Sequence, residues 1–194
     1  MQNKFSTVCT SLRTSGIQAV LLLLFTIMTP CPSYAAAKTE TLNCMVVKVT
    51  DGDTVKCRTG NNRVHKIRLI NIDAPEKSQQ FGQDATKNLA RMIFSRNVQV
   101  KYHSKDRYGR ILGDIYYHGT SINKKMVRSG NAWAFREYLN DNEYLVLEKQ
   151  VRKEKLGLWV YTNPEYPKAY RKRQKQSNVK QHKQHRSHSR PRYH

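Results

Sequence analysis

Two acidic turns, Asp51-Gly52-Asp53-Thr54 and Asp73-Ala74-Pro75-Glu76, flank an apolar run that carries a single arginine, Arg68. A third polar element, Asp106-Arg107-Tyr108-Gly109-Arg110, follows downstream. Carboxylate and carbonyl oxygens from separate turns suit a hard cation; Asp53 and Asp73 are placed to supply them, with Asp51 as an outer neighbour. Glu76 is left over to take a proton from water, the work of a general base. Arg68 and Arg110 carry the planar fork that grips two oxygens of a phosphate. Together these residue types supply what hydrolysis of a phosphodiester requires, including an open metal position. Singly, each has an ordinary explanation. Asp-Gly and Asp-Ala-Pro are good turn chemistry, Glu76 and Arg110 could be solvated loop charges, and Arg68 could pair with an acid for structural reasons.

The elements that must position these groups are legible in the periodicity. Cys44 to Val49 alternates, Asp-Gly turns the chain, and Thr54 to Arg58 resumes a strand. Gly60-Asn61-Asn62 turns again into a third strand from Val64 to Ile72, apolar on both parities as a strand buried on two sides would be. Strict alternation there puts Arg68 and Asp73 on opposite faces. The strand must therefore end or bulge before Asp73, and Pro75 already disfavours a regular continuation. Helical spacing runs from Gly82 to Ser95 through Ala85, Leu89, Met92 and Ile93. Val98–Tyr102 and Ile111–Tyr117 read as strands, and a short helix starts near Ser121 and stops before Gly130. Residues 132–138 read as extended. A last helix starts at Asn140, with Glu143 completing a capping box and Gly157 closing it. Five strands with inserted and appended helices predict an α+β fold: a five-stranded OB-fold β-barrel with three helices, over residues 38–167.

Charge and termini bound the partners. The 194 residues carry a formal charge of +21, which speaks for nucleic acid, anionic membrane or acidic glycan as partner. Residues 168–194 hold ten Lys or Arg and no acid. That composition offers almost no core and predicts a disordered basic tail, able to bind polyanions. Residues 1–37 read as a signal peptide: Lys4 and Arg13 precede an apolar run from Ile17 to Met28, then small residues around Ala35. An uncleaved anchor is the alternative. A secreted or periplasmic location follows. Removing the leader leaves Cys44 and Cys57. In the expected hairpin they are offset by two or three residues, roughly 7–10 Å at strand rise, too far for a bridge unless the strand is bulged or strongly bent. Bridge and free thiols both stay open.

The motifs DGDTVK (51–56), IRLINIDAPE (67–76), DRYGR (106–110) and EKLGLW (154–159) resemble, in order and spacing, those of the staphylococcal nuclease (thermonuclease) family across roughly residues 43–160. The resemblance implies a five-stranded OB barrel with three helices and a Ca²⁺-dependent nuclease that cleaves DNA and RNA, leaving 3′-phosphates. By position it implies Asp53, Asp73 and the carbonyl of Ala74 as Ca²⁺ ligands, Glu76 as general base, and Arg68 and Arg110 as the phosphate clamp. Tyr108 and Tyr138 would line the nucleotide pocket. Ala74 departs from the family prototype, which has Thr there; the carbonyl survives that change and a hydroxyl contact does not. The loop Lys77–Phe81 and the loop before DRYGR are also short. A monomer with no stable protein partner is expected. The rival readings are a catalytically weak OB-type nucleic-acid-binding module and a basic protein that coats anionic surface polymers.

Overall fold

The structure is a computed structural model that describes the backbone of residues 38–188 and the side chains of residues 38–180. The expected signal peptide lies outside the described residues. Strand β1 (Glu40–Val49) pairs antiparallel with β2 (Thr54–Arg58) on one side and β5 (Asn97–Lys105) on the other. Strand β3 (Val64–Leu69) continues the meander, and β6 (Ile111–Tyr117) follows β5. A parallel pairing of β3 with β6, Ile67 beside Ile111, closes the sheet into the expected five-stranded barrel. Closure removes the free edges that an open sheet would expose. Two-residue strand β7 (Thr120–Ser121) extends the rim beyond β6. Val46, Val55, Ile67, Leu69, Val100 and Ile115 fill the barrel, as the inward parity of each strand dictates.

Helix α1 (Gly82–Ile93) packs Leu89 and Ile93 onto this core. Helix α2 (Ile122–Arg128) does so with Met126 and Val127, and its N-cap Ser121 accepts the Lys124 N–H as its side chain predicts. The segment read as extended after Gly130 is a two-residue strand, β8 (Trp133–Ala134), followed by a 3₁₀ turn at Arg136–Tyr138. Strand β8 pairs with β4 (Ile72–Asp73). Helix α3 (Glu143–Glu154) starts three residues later than the capping-box reading. Asp141 Oδ1, not Asn140, takes the Glu143 N–H at 2.9 Å, and the Glu143 carboxylate goes to Lys124. Buried Glu148 on α3 accepts the Ala134 N–H and two arginine contacts, from Arg136 and Arg152, which fixes β8 behind β4.

Cys44 and Cys57 form a disulfide with Cα atoms 5.6 Å apart. The open question is resolved by a bulge. The β1–β2 register slips between Val46 and Lys48, and bending β1 there brings the offset cysteines within reach. With a sequence separation of 13, loop-closure entropy makes the bridge worth about 3 kcal/mol. Urea unfolding of the Cys44→Ala/Cys57→Ala protein should show stability reduced by about that amount and a lower midpoint; an unchanged midpoint would mean that the barrel does not need the bridge.

The tail expected to be disordered carries a helix over its described part. Residues Pro167–His188 form helix α4. The stretch cannot build a core, but a helix needs only propensity and an anchor. Lys, Arg and Gln are good helix formers, no glycine interrupts them, and proline is at home in a first turn. The anchor is aromatic. Tyr166 meets Trp133 edge-on at 5.7 Å in the second core cluster, and buried Tyr170 donates its hydroxyl to Ser78. Residues 189–194 of the expected tail lie outside the described residues.

Candidate active site

The two acidic turns meet at the end of the barrel. The Asp51 carboxylate accepts the Asp53 N–H at 3.0 Å, a local Asx turn that aims Asp53 across the barrel mouth. Asp53 then accepts the Ala74 N–H at 3.0 Å, and its carbonyl accepts the Leu69 N–H. Gly52 is required for this approach: a Cβ at that position would stand 2.6 Å from the Ala74 Cβ.

Arg68 and Asp73 share one face because β3 stops at Leu69. Asn71 takes a left-handed backbone (φ 64°), which Asn tolerates, and β4 starts afresh at Ile72. The Arg68 guanidinium folds over this turn. It donates to the carbonyls of Leu69 (2.7 Å) and Ile72 (3.0 Å) and pairs with Asp53 at 3.1 Å and Asp73 at 3.2 Å. One nitrogen therefore bridges both carboxylates. Asp73 is fully buried, and burial pushes its carboxyl above the ordinary range. Hydrogen bonds from Arg171 pull it back, and the charge of Asp53 raises it further.

Glu76 is held through its backbone. Its N–H donates to Gln79 Oε1 at 3.1 Å and its carbonyl accepts the Gln79 N–H at 2.8 Å. Gly82 opens α1 against this loop, where a Cβ would fall 1.8 Å from the Glu76 oxygen. The half-exposed carboxylate meets Arg171 at 2.7 Å.

Arg110 is not in contact with the carboxylates. Its side chain pairs with Asp106 at 2.7 Å, inside a loop whose Tyr108 and Arg110 N–H groups also bond Asp106. Extending the β3–β6 register back by two residues nonetheless puts Arg110 on the face of Arg68, which pairs with Leu112. Tyr108 is 70% exposed between the cations of Arg107 and Arg110, and Tyr138 is 72% exposed beside Phe135. The two tyrosines lie in separate segments, Tyr108 in the DRYGR loop and Tyr138 in the 3₁₀ turn.

Sequence reasoning missed Gln79, which fixes the Glu76 loop, and Arg171, which reaches the carboxylates from α4. The signal for Arg171 was the Tyr166/Tyr170 pair after Pro164, an i,i+4 aromatic stripe at the head of a stretch otherwise read only by charge.

The residues fit a hard divalent cation. The donors are oxygens alone, two carboxylates lie on one guanidinium nitrogen, and the Ala74 backbone is tied to Asp53. Among the described residues no group of three or more His, Cys, Asp or Glu comes together, so backbone and water oxygens would complete the shell.

The cluster also has a pH signature. Burial and the neighbouring Asp53 push the Asp51 carboxyl from 3.8 up to about 7. Between those values the folded chain holds a proton that the unfolded chain has lost, so stability is present below the lower value and falls as pH rises towards 7. Asp51→Asn keeps an oxygen for the Asp53 N–H. In chelator it should raise the melting temperature at pH 8 and flatten the fall between pH 5 and pH 8. A pH slope equal to that of the native chain would contradict this.

The chain resembles known proteins. The family model described as staphylococcal nuclease homologue matches residues 66–161. The chain is 41% identical over 155 residues to an uncharacterized endonuclease of Haemophilus influenzae, covering 80% of this chain and 84% of that protein. It is 40% identical over 141 residues to a micrococcal nuclease of Shigella flexneri, covering 67% and 80% respectively.

Proposed function

The chain belongs to the staphylococcal nuclease homologue family, and from that premise we propose that it is a secreted or periplasmic Ca²⁺-dependent nuclease acting on DNA and RNA. The observation that carries the proposal is the bridging of Asp53 and Asp73 by Arg68, with Glu76 held one turn away on the same loop as Asp73. Ca²⁺ held by Asp53, Asp73 and the Ala74 carbonyl would supply positive charge to the phosphate oxygens. Arg68, whose terminal nitrogens hold Leu69, Ile72, Asp53 and Asp73, brings positive charge beside the phosphodiester, and Arg110, swung from Asp106, offers its fork from the same sheet face. Glu76 takes a proton from the attacking water. The bond from phosphorus to the 5′ oxygen breaks, the departing oxygen is protonated by solvent, and the phosphate stays on the 3′ side. Tyr108 and Tyr138 offer rings on which bases can stack.

The disulfide supports an oxidising compartment, as does the leader-like composition of residues 1–37. The basic surface supports a polyanionic substrate and, with it, strong salt dependence. Digestion of end-labelled single-stranded DNA and RNA in Ca²⁺, followed by phosphatase treatment, tests the chemistry. Products that shift on removal of a 3′-phosphate support it; 5′-phosphate ends would overturn it.

A further inference from the structure

Arg171 is a built contact. Its fork holds both oxygens of Asp73, at 3.3 and 3.1 Å, and also reaches Glu76. The helix that presents it is fixed on either side: Tyr170 is buried and bonded to Ser78, and Arg173 pairs with Glu165. Asp73 and Asp53 place two carboxylates in a poorly solvated pocket, where a single bridging guanidinium leaves negative charge uncompensated. Arg171 supplies the second positive charge. It comes from beyond the segment that the family model matches, from a helix with eight Lys or Arg and no acid.

We propose that Arg171 is an internal competitor for the divalent cation, occupying the oxygens of Asp73 and capping Glu76 until metal displaces it. The proposal rests on the calcium reading of this site. A cation using the Asp73 oxygens and a guanidinium bonded to both of them exclude each other by geometry and by charge. The displacement requires only rotation of the Arg171 side chain, since Tyr166 and Tyr170 hold α4 independently. It also frees Glu76 to receive a proton. Metal loading and activation of the base are thereby one event.

The test is Ca²⁺ binding by titration calorimetry, with no substrate present, on the full chain and on three variants. Arg171→Gln should bind Ca²⁺ more tightly by a factor on the order of 5–150, the usual span of coupling between two ligands of one protein. Arg171→Lys keeps a charge but loses the two-oxygen grip, and should tighten binding by less; it serves as the readout if the Gln variant fails to fold. Arg173→Gln, on the same helix but paired with Glu165, should leave affinity unchanged. Equal Ca²⁺ affinity in the native chain and a folded Arg171 variant overturns the proposal and leaves the calcium reading intact. Tightening by Arg173→Gln equal to that by Arg171→Gln also overturns it, by reducing the effect to general charge. No Ca²⁺ binding by any of the four proteins removes the calcium reading, and the proposal with it.

Discussion

Glu76→Gln is expected to lower turnover on single-stranded DNA by roughly 10²–10⁴-fold, the contribution typical of a positioned general base. The substitution is nearly isosteric and removes only the capacity to take a proton. The loop should survive it, because Glu76 is anchored by its backbone to Gln79 and by the close approach of Gly82, not by its carboxylate. The carboxylate's partner in the structure is Arg171, an exposed-edge contact whose loss costs the fold little. Melting temperature and DNA affinity should therefore stay near those of the native chain while turnover collapses. A fall in melting temperature in step with the loss of turnover would instead make Glu76 a structural residue.

Arg68→Ala should damage both fold and function. Arg68 is the hub of the site, with two carbonyls and two carboxylates on one guanidinium that is only 13% exposed. Removing it strips buried Asp53 of its counter-ion and leaves Asp73 with Arg171 alone, a loss of about 3–5 kcal/mol for a broken buried pair. Burial already raises the Asp73 carboxyl, and protonating it relieves part of the penalty, so the variant should regain stability as pH falls. Turnover should drop by a further ~10²–10³-fold at conditions where the variant is folded, as when one donor to a developing charge is lost. Arg68→Lys separates the effects: the charge returns part of the stability, but a point charge cannot satisfy four acceptors. A urea midpoint for Arg68→Ala equal to the native one would contradict the arrangement described.

Most of the barrel was legible because period-two runs and Asp-Gly or Asn-rich turns dictate a meander, and closure follows from its twist. The Arg68–Asp73 parity conflict was also visible, and its resolution came from the kind of break that the conflict demanded. What sequence could not supply was the turn at Asn71, where a left-handed residue resets the face. The bulge between Val46 and Lys48 was equally hidden, since nothing in Met45-Val46-Val47-Lys48 marks a register slip; the disulfide depended on it. Helix α4 was misread for a different reason. Charge and lack of apolar residues describe a segment that cannot fold alone, but Tyr166 and Tyr170 borrow the core of the barrel domain. Arg171 rides on that anchor, so the missed residue and the misread segment have one cause. Arg110 shows another limit: sequence offered it for the phosphate, yet its partner in the structure, Asp106, is set by a loop turn.

The measurement that bears most directly on the central claim is digestion of single-stranded DNA by the purified chain across a Ca²⁺ titration, beside the same reaction in chelator. Cleavage that rises with Ca²⁺, vanishes in chelator and returns when Ca²⁺ is restored is the predicted result. Cleavage undiminished by chelator, or tight DNA binding without cleavage at any Ca²⁺ concentration, would contradict it.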